Sequence, residues 1–143
     1  MNILLLGSKG RLGSNFKFFY NQKKIKILEI NNKFTLNGQK KFQNFLQNKI
    51  IANKLLIINC TGLTDVDICN KDHLLAYKVN ATILDNIIKS CKNLKIQPIL
   101  VHFSTDQIYN SPKRKKSDES EINLTNFYSI SKYLGELIVF LFF

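Results

Sequence analysis

The sequence predicts an α/β fold, a Rossmann-like doubly wound parallel sheet. Three observations carry that prediction. Short β-rich apolar runs alternate with helical stretches along the whole chain, the pattern of a parallel sheet covered by helices. The first run starts at the third residue and closes on a glycine-rich turn. A tyrosine and a lysine stand four residues apart on the last predicted helix, downstream of a strand end that carries two hydroxyls. With 143 residues and 45% hydrophobic content the chain can bury a core, and its length accommodates one domain.

The elements follow in order. Ile3 to Leu6 is a continuous apolar run bounded by Gly7, too short for a helix and suited to a central strand buried on both faces. Leu12, Phe16, Phe19 and Tyr20 recur at helical spacing and predict a first helix that ends near Asn21. Ile25 to Ile30 is the second strand, Phe42, Phe45 and Leu46 mark a short second helix, and Leu55 to Asn59 is the third strand. From Lys71 to Cys91 the residues Leu74, Leu75, Val79, Ile83, Ile87 and Cys91 share one face of a long helix. Ile96 to Phe103 is the fourth strand. Lys113 to Glu121 is a charged loop without periodicity, and a last helix runs from about Asn126 to the end.

The turn after the first strand reads Gly-Ser-Lys-Gly-Arg-Leu-Gly from Gly7 to Gly13. In a dinucleotide-binding turn the first glycine allows the sharp bend, the second lets a phosphate approach the backbone, and the third lets the helix lie close on the sheet. The helix N-terminus then presents N–H groups to the pyrophosphate. The position of this turn, between strand and helix at the start of the chain, favours that reading over a plain tight turn. An acidic residue about 20 positions on is expected at the adenosine ribose, and Glu29 is suitably placed. A carboxylate there favours the 2′-hydroxyl of NAD, while Lys33 or Arg11 could receive the 2′-phosphate of NADP, so both NADH and NADPH stay open.

Tyr128 and Lys132 are one helical turn apart, and Ser104-Thr105-Asp106 ends the fourth strand, where ligands sit in doubly wound sheets. A tyrosine can protonate a carbonyl oxygen, a neighbouring ammonium stabilises the phenolate left behind, and a serine or threonine hydroxyl can hold the reacting oxygen. The spacing alone is weak; its company makes it specific.

Composition narrows the partners. The net charge is +11, but the only arginines are Arg11 and Arg114 and the remaining basic residues are lysines. Lys, Asn, Ile and Phe are abundant together, as in proteins coded by AT-rich genomes, and the Lys113 to Lys116 cluster has no interleaved aromatics. This reads as solvated surface, with no nucleic-acid partner. The cysteines Cys60, Cys69 and Cys91 are odd in number and lack metal spacing, so neither a disulfide frame nor a metal site is implied, and a reducing compartment is expected. Met1 and Asn2 lead into a strand pattern with no basic segment or cleavage site, and the apolar run from Leu137 to Phe143 is shorter than the roughly 17 residues a membrane span needs. A cytoplasmic protein without a membrane partner is expected.

The residues also carry a family resemblance, to the extended short-chain dehydrogenase/reductases and, within them, to the dTDP-4-dehydrorhamnose reductase (RmlD-like) branch. Asn2 to Gly10 resembles the opening strand and loop of that branch, and Ile58 to Asp67 is similar to its INAAAYTAVD segment. Ala76 to Ala81 resembles AxxVNA, Val101 to Tyr109 resembles VHxSTDYVF, and Tyr128 to Glu136 resembles YGxTKxxGE. The resemblance implies an NAD(P)H-dependent reduction of the C4 keto group of a dTDP-4-keto-6-deoxy sugar, in nucleotide-sugar and surface polysaccharide biosynthesis. It makes Thr105, Tyr128 and Lys132 the catalytic group, with Lys132 also at the nicotinamide ribose. It places Gly7, Gly10, Arg11, Leu12 and Gly13 at the pyrophosphate and Gly62, Leu63 and Thr64 along the cofactor. Ser104, Thr105 and Asp106 would border the sugar, Ser104 taking the hydroxyl role if Thr105 faces away.

Departures from the pattern are Leu63 in place of an aromatic or histidine, Cys69 and Asn70 in place of a small residue and an acid, and Asn110 in place of an acid. The family is about twice as long, so residues 1–143 are expected to form a truncated NAD(P)-binding Rossmann domain without the C-terminal strands and the sugar-nucleotide domain. Its sheet edge and the apolar face of its last helix would then be exposed. A homodimer is a candidate assembly. Alternatives are another extended short-chain epimerase or dehydratase, though Gln107 is not the acid a dehydratase favours there, or a non-catalytic dinucleotide-binding regulatory fragment.

Overall fold

A computed structural model of the chain describes residues 1–30, 38–50, 54–109 and 121–142. The chain divides into two compact units, Met1–Gly62 with Asp85–Phe103, and Leu63–Leu84 with Ser104–Phe143. The Lys33 candidate and the charged loop as far as Ser120 lie outside the described residues.

The first unit holds the sheet. Strands β1 (Asn2–Leu6), β2 (Leu28–Ile30), β3 (Leu55–Asn59) and β4 (Ile99–His102) are all parallel and lie in the order β2-β1-β3-β4, a Rossmann-like arrangement as expected. Leu5 is paired with Glu29 on one side and with Ile58 on the other. A strand flanked on both sides and covered on both faces must be apolar throughout, and Leu4, Leu5 and Leu6 are fully buried. On β4, Ile99 is 62% exposed and Val101 38%. Helices α1 (Arg11–Gln22) and α2 (Gln39–Lys49) belong to this unit. Phe16 and Tyr20 of α1 pack against the Ile3, Leu5 and Ile58 core, while Leu12 and Phe19, read as part of the same stripe, are largely exposed.

Two strands start three residues later than the sequence suggests, for one shared reason. After α1, Lys24 takes a left-handed φ of 55°, its N–H bonds Asn21 O at 3.0 Å, and the Ile25 N–H bonds Tyr20 O at 3.0 Å. After α5 (Ile83–Asn93), Lys95 has φ 56°, its N–H reaches Lys92 O at 3.0 Å, and Ile96 reaches Cys91 O at 2.9 Å. These are paired 6→1 and 5→2 bonds that close a helix C-terminus. Ile25 and Ile96 therefore serve as helix caps, not as the first strand residues.

The second unit is helical. The long helix expected from Lys71 to Cys91 is instead α3 (Val66–Lys71), α4 (His73–Tyr77), a π-helical turn (Lys78–Thr82) and α5, whose residues from Asp85 belong to the first unit. Asp65 caps α3 by accepting from Ile68 N at 2.9 Å, and Asp72 caps α4 by accepting from Leu75 N at 2.9 Å. The π turn adds a residue to one turn and shifts the buried face. Ala76, Asn80, Ala81, Ile83, Leu84, Ile87 and Ile88 are buried, whereas Leu74 and Leu75 face solvent. Thr105 accepts from Gln107 N and starts a single 3₁₀ turn, Asp106–Ile108. Helix α6 (Phe127–Phe142) is closed at its start by Asn126, whose Oδ1 accepts from Ser129 N at 2.8 Å, and by Asn70, whose Oδ1 accepts from Phe127 N at 2.9 Å. Toward its end Phe140 is 83% exposed and Leu141 76%.

Candidate functional site

In the first unit, strand order reverses between β1 and β3, and ligands of open α/β sheets bind in the crevice beyond the carboxyl ends of such strands. A cavity of about 370 Å³ lies there, lined by Gly7, Ser8, Lys9, Gly10, Glu29, Ile30, Cys60, Thr61 and Gly62. Gly7 has φ +75°, and a Cβ on it would stand 2.7 Å from the Cys60 carbonyl oxygen, so only glycine fits this turn. A methyl on Gly13 would run into the Gly7 carbonyl, which lets α1 start directly against the loop. Gly10 caps α1 with extended backbone and no side-chain hydrogen bond, and no acid sits in the first turn. That leaves the helix N-terminus suited to an anion. The cradle that a Cβ would fill and the uncapped helix start fit a pyrophosphate.

Of the residues expected at a cofactor, Gly7, Gly10, Glu29 and Gly62 line this cavity. Gly13 supports it from behind, and Arg11 and Leu12 are exposed on the first turn of α1 without lining it. Ser8, Lys9, Ile30, Cys60 and Thr61 line it too, with no cofactor role expected of them from the sequence. Thr61 is nearly buried, its N–H and hydroxyl both donating to Asn59 Oδ1 at 3.1 and 2.6 Å. The Asn59 amide donates in turn to His102 Nδ1 at 3.2 Å, which places the imidazole proton on Nε2. Burial pushes the Cys60 thiol up to about 11, so the cavity holds an inert thiol, not a nucleophile. The Glu29 carboxyl is held below its usual range, first by Lys17 and then by the Ser8 hydroxyl.

The second unit carries Thr105, Tyr128 and Lys132. Tyr128 is 8% exposed and packs with Cys69 and Ala76 against Leu63, Val66 and Phe127. Lys132, one turn on, is 4% exposed. Burial holds its ammonium at about 8, with Glu136 a turn later pulling partly the other way. Thr105 is half-buried, and the bond it accepts from Gln107 N at 3.2 Å uses a lone pair of its hydroxyl, not the proton. Ser104 and Asp106 are exposed, as is Thr64.

Asn80, within the segment that resembles AxxVNA, has no role assigned from the sequence. It is 2% exposed within the π turn. Its Oδ1 accepts from Leu63 N at 2.8 Å, and its Nδ2 donates to Leu63 O at 3.1 Å and to Ser131 Oγ at 2.9 Å. Ser131 in turn donates to Tyr128 O at 2.8 Å. One amide thus fixes the Leu63 backbone and the turn of α6 that bears Tyr128 and Lys132. A lone polar residue among apolar ones on a helix face, which must find partners once buried, was the available signal.

A glycine turn after the first strand, a hydroxyl pair after the fourth and a buried Tyr-Lys pair on the next helix, in that chain order, are the marks of the extended short-chain dehydrogenase/reductases. Within that class the chain belongs to the RmlD substrate binding domain family, whose model matches residues 1–141. The resemblance read from the five motifs is borne out. The dTDP-4-dehydrorhamnose reductase of Mycobacterium tuberculosis is 30% identical over 96 residues, 64% of this chain and 31% of that protein. Among solved structures, a dTDP-4-dehydrorhamnose reductase from Clostridium acetobutylicum matches with TM-score 0.84 at 25% identity, covering 99% of this chain and 50% of that one. The enzyme from Bacillus anthracis, solved in complex with NADP, matches with TM-score 0.83 at 25% identity over 99% of this chain and 50% of that one. The chain spans about half the length of these solved relatives.

Proposed function

We propose that this chain is the dinucleotide-binding part of an NAD(P)H-dependent oxidoreductase that reduces the C4 keto group of a dTDP-4-keto-6-deoxy sugar, as in dTDP-rhamnose biosynthesis. The observation that carries the reading is the burial of Tyr128 and Lys132 one turn apart on α6 in a chain of this family. Residues 1–143 serve as the NAD(P)-binding Rossmann domain, and the sugar-nucleotide domain corresponds to the half of the relatives that this chain does not span. The proposed setting is the cytoplasm, in keeping with the proposed use of a nicotinamide dinucleotide and a nucleotide sugar.

Bound NADH or NADPH supplies the hydride that reaches C4. The backbone from Gly7 to Gly13 and the start of α1 hold the pyrophosphate, Glu29 takes the adenosine ribose, and Gly62, Leu63 and Thr64 run along the cofactor. Tyr128 donates its proton to the oxygen at C4, and Lys132 stabilises the phenolate and binds the nicotinamide ribose. Thr105 donates its hydroxyl proton to the same oxygen, with Ser104 and Asp106 beside the sugar. A group held near pH 8 can keep or release a proton under working conditions, as a partner in proton transfer must.

Oxidation of NADH or NADPH in the presence of a dTDP-4-keto-6-deoxy sugar, followed by absorbance, tests the reaction. Tyr128→Phe is expected to lower turnover by at least about 100-fold while leaving dinucleotide affinity within a few-fold. Unchanged turnover in that variant would remove Tyr128 as the acid.

A further inference from the structure

Glu29 does not face the cavity alone. Its Oε1 lies 2.8 Å from Lys17 Nζ, and the Ser8 hydroxyl also bonds the carboxylate. Lys17 sits on α1, two turns after Gly10, and Lys9, which lines the cavity, adds a second positive charge near the same carboxylate. A bare carboxylate at the end of the second strand accepts a hydrogen bond from a ribose 2′-hydroxyl and repels a 2′-phosphate. Here the carboxylate is compensated by a cation on a flexible stem. The compensation does not come from protonation, because the pKa of Glu29 is lowered and the group stays ionised.

On the reading that this cavity takes a dinucleotide, we propose that Lys17 sets its cofactor range. Paired with Glu29 it cancels the repulsion of the carboxylate, and it can turn its ammonium onto a 2′-phosphate, so the site accepts NADPH as well as NADH. With an unphosphorylated ribose, Lys17 stays on Glu29 and the remaining lone pairs of the carboxylate accept from the 2′-hydroxyl. With a phosphorylated ribose, Lys17 moves to the phosphate. The side chains of Lys17 and Glu29 are 44% and 36% exposed, so water solvates Glu29 when its partner leaves. Neither Lys17 nor Arg11, the other described candidate for a 2′-phosphate, lines the cavity itself; Lys17 is joined to it through its 2.8 Å ion pair with Glu29, which does line it.

Dissociation constants of NADH and NADPH, measured by fluorescence on the purified chain and on two half-exposed variants, test this. Lys17→Met is expected to raise the Kd of NADPH about tenfold and that of NADH less than about threefold, as when an uncompensated charge is left beside a bound anion. Glu29→Gln is expected to move the ratio the other way, tightening NADPH and weakening NADH. Equal weakening of both cofactors by Lys17→Met, or no change in the ratio in either variant, overturns the role of Lys17. A wild-type chain that binds neither dinucleotide overturns the underlying site, and the role of Lys17 with it.

Discussion

Lys132 carries a cost and a use in one side chain. Its ammonium is buried, and desolvation brings its pKa from the ordinary 10.5 to about 8. The folded pKa lies below the unfolded one, so below pH 8 both states hold the proton and the native state bears the net cost of burying the ammonium, desolvation less the attraction of Glu136. Between pH 8 and 10.5 the native state releases its proton first and stability rises with pH. Replacing Lys132 by methionine is therefore expected to stabilise the ligand-free protein at pH 7 by an amount on the order of 3 kcal/mol. Denaturant titrations at pH 7 and pH 10.5 should show the gap closing at the higher pH; a gap independent of pH would mean that the lysine is solvated. Tyr128 and Lys132 were legible as a proposed proton-transfer pair because that chemistry needs a fixed spacing, and the glycines from Gly7 to Gly13 because a tight turn that a phosphate is to approach excludes a Cβ. Asn80 was not, because its role consists of partners at Leu63 and Ser131, distant in sequence.

At the scale of elements, the helix ends decide where strands begin. Lys24 and Lys95 hold left-handed backbone, a conformation that costs a residue with a Cβ about 1 kcal/mol relative to glycine. Lys24→Gly and Lys95→Gly are each expected to raise stability by about 0.5–1 kcal/mol, read as a higher urea midpoint with an unchanged slope. The π turn rests on a different term. Asn80→Leu removes three side-chain bonds around Leu63 and Ser131 and strands buried backbone groups, a loss of about 2–4 kcal/mol. The same variant should lower turnover more than dinucleotide affinity, since the turn it releases bears Tyr128; equal loss of both would indicate general unfolding. Periodicity showed a helix here but not its interruption, because the caps Asp65 and Asp72 act in single turns and the extra residue of the π turn is paid in tertiary hydrogen bonds.

At the scale of the whole molecule, ligand and fold are linked. If the cavity at the β1–β3 switch point takes a dinucleotide in the folded state only, NADH at about 100 times its Kd adds roughly 2.7 kcal/mol. That corresponds to a rise in Tm of several degrees for a chain of this size; no shift with either cofactor would count against the cavity as the binding site. Parallel strands, their approximate extents, the glycine turn and the order of motifs were all determined by the sequence by itself, because burial on both faces demands uninterrupted apolar runs and phosphate approach demands glycine. Which face of the Lys71 to Cys91 stretch is buried, where β2 and β4 begin, that Lys17 stands on Glu29, and that Lys132 is desolvated were decided only by the tertiary structure. The strand starts turn on left-handed caps at two lysines, which hydropathy does not announce; the others depend on packing and contacts between residues of different elements, and local pattern contains no record of them.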